Sequence, residues 1–288
     1  MEMDWSKRLQ EPQFWLLGIT AAIVVLHLTL INRVDNSDLF AISALFWMAA
    51  GSLIWDRRQD MNFSSDSLSS AIGFVLLALI FARSAGLPTA NGFLKVLPFV
   101  SMFGVALLAS GFRNLRSHWK ELAIFGLLAL HPILELVLQL ANLPSLTAQS
   151  ANFMLWFSGF AVQRQGVFLL MPTGRVEVYG ACSGLASILQ MISISGLFLL
   201  LVPLRSHWQK VLCVAIAITI GFVVNAARVA LMAILISFSQ RSAFDYWHEG
   251  GGSLVFSVIS VLLFGGFCWV AFLRTAPEPP DAGVSEHG

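Results

Sequence analysis

Three residues in this 288-residue chain could together make and break an acyl bond: the cysteine of "EVYGACSGL" (177–185), the arginine of "VVNAARVALMA" and the histidine of "FDYWHEGGGSLVF". A thiol with its ordinary pKa near 8.5 needs a base or a positive field beside it to attack as a thiolate. His248 can take the proton of Cys182 and later hand it to a leaving amine, and Arg228 can act as a fixed cation for the thiolate or an oxyanion. They are far apart in sequence, so whether they meet depends on the elements that carry them.

Composition says what those elements are. Apolar residues make up 57% of the chain and charged ones 11%, against roughly 25% charged in soluble domains. The net charge of +1 and the scatter of the 17 basic residues exclude a nucleic-acid patch. Three cysteines (Cys182, Cys213, Cys268) without a CxxC pair argue against a disulfide framework or a zinc cluster, and no metal or cofactor is expected. The sequence predicts an all-α polytopic integral membrane protein with about eight spans, near 14–31, 39–55, 68–84, 93–109, 121–140, 183–204, 211–236 and 252–273. The first, with a basic start and no small-x-small cleavage site, reads as a retained span rather than a signal peptide. Residues 1–273 form a single transmembrane domain and 274–288 a disordered cytoplasmic tail.

Eight spans put both termini on one side. Lys7, Arg8, Arg57, Arg58, Arg113, Arg116, Lys120, Arg205, Lys210 and Arg274 make that side the cytoplasm. The long connection 141–182 is then outer. Its apolar stretch 151–160 is too short to span and suits an interfacial helix with Trp156 at the headgroups, and "LLMPTGRVEVYG" turns at Pro172 and Gly174 into a short extended piece.

Depth sorts the reactive residues. Arg228 stands about 25 Å above the inner start of span seven, either snorkelling to outer headgroups or, with Asn225 one turn away to hold it, fixed inside the protein. Among six histidines, His118, His207 and His287 are cytoplasmic and His27 and His131 lie within spans; only His248 is at the outer face, beside glycines that allow close packing. Cys213 and Cys268 read as small buried hydrophobes, so Cys182 alone shares a level with Arg228 and His248. Glu177, Glu249, Ser183 and Gly184 are supporting candidates beside Asn225, the two glutamates to orient His248 or bind substrate or in a plain structural role. A competing arrangement is the polar stripe His131, Glu135, Gln139 on span five, kinked by Pro132. It would suit a transporter or a non-catalytic export-assembly subunit, and equally a structural network between helices.

At "ACSGL" (181–185), "NAARV" (225–229) and "HEGGGSLVF" (248–256) the chain resembles the exosortase/archaeosortase family of membrane cysteine transpeptidases. The resemblance covers most of the chain and is strongest over about 145–272. It implies that Cys182 is the nucleophile, Arg228 the essential arginine and His248 the third catalytic residue. It further implies exported substrates carrying a C-terminal sorting tail: a motif of the Pro-Glu-Pro type, a membrane helix and a basic cluster. Such a tail would be cut at the outer face of the cell membrane and the protein passed through a thioester to an amine acceptor. Gly180, where an acidic residue often stands, and Ala186, where a basic one often follows, make "VYGACSGL" look closer to the cyanobacterial branch.

Overall fold

The computed structural model describes residues 12–58, 63–86, 91–248 and 251–274. Four long helices come first: α1 (Pro12–Arg33), α2 (Ser37–Asp56), α3 (Ser67–Ala85) and α4 (Asn91–Ser110). A 3₁₀ turn leads into α5 (Trp119–Ala129) and α6 (His131–Leu138), and then come α7 (Leu143–Phe157), the strands β1 (Gln163–Gln165), β2 (Phe168–Met171) and β3 (Gly174–Glu177), and a 3₁₀ turn Gly180–Cys182. The chain continues as α8 (Leu185–Leu201), α9 (His207–Ser237), α10 (Arg241–His248) and α11 (Gly252–Cys268).

Among the described residues six helices are long and apolar enough to cross a membrane, namely α1 to α4, α9, and α11 together with its continuation to Leu273. Span five is two helices that pass the same test only together, bent by 41°. The bend falls at Leu130, and Pro132 in the first turn of α6 lacks the amide hydrogen that would continue the α5 ladder. Span six, α8, is shorter at 17 residues. Of the eight expected stretches, six are long helices, one is the bent pair and one, α8, falls short of the length that qualifies. Lys7, Arg8 and the tail from 275 onward fall outside the described residues.

Side-chain caps start several helices. Asn36 accepts from the Leu39 amide, Asp66 from the Ser69 amide, and Ser206 and Gln209 form a reciprocal capping box on the 31-residue α9. Several polar groups inside the bundle are paired. Trp47 Nε1 donates to His27 Nδ1 at 3.1 Å, so the ring's own proton lies on Nε2 and goes to the Leu94 carbonyl at 2.9 Å. Fully buried Glu121 is ion-paired with Arg57.

The interior divides into two cores. The larger is built from α1 to α5, α8, α11 and the first half of α9, and it holds Cys213 and Cys268. The smaller joins α7, the sheet and the second half of α9 through Ala148, Leu155, Leu169, Val178, Val229 and Met232, and it holds Cys182. Connection 141–182 is therefore a packed unit. Its helix starts earlier than the sequence reading of 151–160, because Pro144 pre-sets the first turn and Thr147, Ala148 and Ala151 face inward against α9. The extended piece after Pro172 is the last strand of a three-stranded antiparallel sheet in the order β1-β2-β3.

Candidate active site

Cys182 closes the 3₁₀ turn that links the sheet to α8, and its amide donates to the Tyr179 carbonyl at 2.9 Å. It is only 2% exposed. Two helices hold the turn from behind: Asn225 of α9 donates its side-chain amide to the Cys182 carbonyl at 2.9 Å, and Thr147 of α7 donates its hydroxyl to the Ser183 carbonyl at 2.8 Å. Ser183 Oγ donates to the Gly180 carbonyl at 2.7 Å, tightening the turn further. Gly184 then has a φ of +85°, a left-handed geometry that a side chain resists, and a Cβ there would sit 3.0 Å from Asn225 Nδ2. The glycine serves the turn and its anchor. Helix α8 starts at Leu185, and the positive end of a helix favours negative charge near its first amides.

His248 is the last residue of α10, and its Nε2 lies 3.9 Å from Cys182 Sγ and 3.0 Å from the Tyr179 hydroxyl. The Phe244 ring meets the imidazole edge-to-face at 5.3 Å between centroids. Arg228 fixes the helix end that carries the histidine: its Nε donates to the Trp247 carbonyl at 3.0 Å and its Nη2 to the His248 carbonyl. A cation there also complements the negative end of α10. The guanidinium is thus held by α10, while Asn225, which the sequence suggested as its holder, is turned to the cysteine turn. At Gly252 a Cβ would come within 2.6 Å of the Trp247 ring, so this glycine lets α11 start directly against α10.

A cavity of about 540 Å³ opens in front of the pair. Cys182, His248, Tyr179, Met232 and Phe244 line it, with Arg175, Glu177, Arg241 and Asp245 on its walls. Glu177 therefore faces this space, and Glu249 lies outside the described residues. Sequence reading missed Tyr179 and Thr147. Tyr179 stands three residues before Cys182, so the turn that carries one carries the other; Thr147 sends no signal of its own, being one hydroxyl in an apolar helix.

Cys213 and Cys268 are buried in the larger core, away from this site. In the stripe on span five, His131 Nε2 meets Ser193 Oγ at 2.5 Å and Glu135 meets Lys95 at 3.4 Å, while Gln139 is exposed. Its first two members thus tie α6 to α8 and α4 as a network between helices would. No group of three or more His, Cys, Asp or Glu side chains able to hold a metal ion occurs among the described residues.

The long apolar helices mark a multi-pass membrane protein, and beside its smaller core a cysteine and a histidine come within 3.9 Å of each other. The chain belongs to the transmembrane exosortase family (Exosortase_EpsH), whose family model matches residues 32–265 and so takes in the cysteine turn, Arg228 and His248. Membership gives it, in general terms, a membrane transpeptidase and protein-sorting role. No curated protein and no solved structure matched the chain.

Proposed function

We propose that this protein is a membrane cysteine transpeptidase that cuts C-terminal sorting tails from exported proteins and transfers them, through a thioester on Cys182, to a surface amine. The observation that carries this reading is the 3.9 Å approach of Cys182 Sγ to His248 Nε2 beside a cavity of about 540 Å³. That separation is long for a working proton transfer and within the looseness usual before substrate binds.

Cys182 gives its thiol proton to His248 Nε2, and the sulfur attacks the scissile carbonyl carbon. The carbonyl π pair moves to oxygen, and the fixed charge of Arg228, in a neighbouring cavity that His248 also lines, favours the oxyanion through space. Collapse breaks the C–N bond, and Nε2 returns the proton to the departing amine. The substrate's upstream part stays as a thioester. An incoming amine then gives a proton to Nε2, attacks the thioester carbon and releases Cys182. Arg228 has a second task, because its bonds to the Trp247 and His248 carbonyls set where the imidazole stands.

The substrates are exported proteins with a motif of the Pro-Glu-Pro type, a membrane helix and a basic cluster, met at the outer face of the cell membrane. A helix lodged beside the bundle would present such a motif to the large cavity. Co-expression with a tailed substrate tests this: the wild type shortens it, and Cys182→Ala leaves it full length although the variant is inserted in equal amount. Continued shortening by Cys182→Ala sinks the proposal.

A further inference from the structure

Strand β3 is an edge of the sheet. It pairs with β2 from Met171↔Gly174 to Phe168↔Glu177, and among the described residues no strand lies on its other side. Backbone bonds in an antiparallel pair alternate, so every second residue directs its N–H and C=O at the partner strand and the residues between direct theirs away. The Val178 amide donates to the Val167 carbonyl at 3.0 Å, which sets the phase. Val176 therefore bonds toward β2. Arg175 and Glu177 point their amides and carbonyls the other way, where these groups meet no hydrogen-bond partner among the described residues.

That free edge belongs to the large cavity. A space over one face of a strand touches alternate residues, yet Thr173, Gly174, Arg175, Val176 and Glu177 all line this one. They include a glycine with only backbone to offer and a valine whose side chain is buried in the smaller core. Helix α10 lines the same space with Arg241, Phe244, Asp245 and His248, the residues of one helix face. Helix α9 abuts the strand at its start, where the Ser237 carbonyl accepts from the Thr173 hydroxyl and Ile236 stands 2.6 Å from where a Cβ on Gly174 would lie. Past Glu177 the backbone is still extended at Tyr179 (φ −106°, ψ −174°), and the next turn brings in Cys182. A row of unpaired backbone groups thus leads along one cavity to the nucleophile.

We propose that the substrate's segment beside the scissile bond binds extended along β3, as a fourth strand of the sheet, and exchanges backbone hydrogen bonds with Arg175 and Glu177. In strand addition the main-chain bonds supply affinity, and pockets for alternate side chains supply selectivity. The bonds also fix which carbonyl reaches Cys182, because a slip of one residue turns every side chain to the opposite face. The enzyme therefore takes a segment that is free of helix and of its own sheet, such as the stretch between a folded exported domain and a membrane helix. This inference rests on the transpeptidase reading, which supplies the peptide, and extends it to the form in which that peptide is held.

The test compares residues with and without an amide hydrogen. Proline is tolerated on an edge strand where its missing N–H faces outward. Arg175→Pro and Glu177→Pro each remove one donor, and Arg175→Ala and Glu177→Ala lose the same side chains but keep it. The full-length protein is co-expressed with a substrate ending in a Pro-Glu-Pro motif, a membrane helix and a basic cluster. At equal membrane content, each proline variant is expected to cleave about tenfold more slowly than its alanine counterpart. Arg164→Pro, on the far edge of the sheet with its amide turned away from β2 by the same alternation, should match Arg164→Ala. Equal cleavage by proline and alanine at both Arg175 and Glu177 overturns strand addition and leaves the transpeptidase standing. An equal loss at Arg164→Pro also overturns it, in favour of a general weakening of the sheet. Absence of cleavage by the wild type removes both readings. Alkylation of Cys182 by iodoacetamide in detergent shows whether a proline has disturbed the turn. Where it has, hydrogen exchange in Cys182→Ala protein decides: adding the same substrate should slow exchange of the Arg175 and Glu177 amides by about tenfold or more. Unchanged exchange overturns the proposal. Protection that needs no substrate and grows with protein concentration also overturns it, in favour of edge pairing between two copies of the chain.

Discussion

At the scale of single residues, the site is a reactive pair with each member held by its backbone. Asn225 and Thr147 hold the carbonyls of Cys182 and Ser183, and Arg228 holds those of Trp247 and His248. Gly184→Ala should lower tail cleavage at least about tenfold while the protein remains inserted, because a Cβ at positive φ strains the turn and presses on Asn225. Cleavage assays normalised to membrane content measure this. Tyr179→Phe removes a hydroxyl 3.0 Å from His248 Nε2. A single neutral hydrogen bond is worth about 1 kcal/mol, so cleavage should fall a few-fold, far less than in His248→Gln. Cys182, Arg228 and His248 were legible in the sequence because an ionisable or reactive group at one depth in an apolar chain stands out. Tyr179 and Thr147 were not, since a tyrosine in a turn and a hydroxyl in an apolar helix look like ordinary interfacial residues.

At the scale of elements, α9 does most of the positioning. Within one 31-residue helix it supplies Cys213 to the larger core, Asn225 to the cysteine turn and Arg228 to the end of α10. Hydropathy read this helix well, since a long apolar run leaves little choice. It read α7 less well, because Thr147, Gln149 and Ser150 dilute the signal of a helix whose inward face is made of small residues. Helix starts carry a measurable pH dependence. Hydrogen bonds from the Ser69 hydroxyl and amide hold the Asp66 carboxyl below the ordinary aspartate value. A carboxyl lowered in the folded state stabilises above its unfolded pKa, and that contribution is lost as pH falls toward the lowered folded value. Thermal unfolding in detergent should therefore weaken below about pH 4, and Asp66→Asn, which keeps a good cap, should remove that part of the loss. An unaltered acid limb in Asp66→Asn would assign the loss to other groups.

At the scale of the whole molecule, the two cores divide the work. The larger, with its paired His27 and its ion pair of Arg57 and Glu121, is a helical frame for the bilayer, and the smaller is a platform that seats the cysteine at one end of it. The sequence reading of eight spans compares with six long apolar helices among the described residues, or seven with the bent pair. The bend in span five followed from Pro132, whereas the packing of 141–182 into a core could not be read, because it depends on contacts with a helix far along the chain. Orientation follows the basic residues, so the platform should face outward. In otherwise cysteine-free cells-based labelling, Gln240→Cys beside α10 should react with a membrane-impermeant thiol reagent applied to intact cells, and Arg205→Cys only after permeabilisation. The reverse pattern would put the site on the cytoplasmic side.

The central claim is that Cys182 carries the substrate's acyl group. The most direct measurement is mass spectrometry of Cys182 peptides from protein incubated with a tailed substrate and no amine acceptor. A hydroxylamine-sensitive adduct joining the substrate's new C-terminus to Cys182 is the predicted result. Efficient cleavage with no such adduct, and persisting in Cys182→Ala, would contradict it.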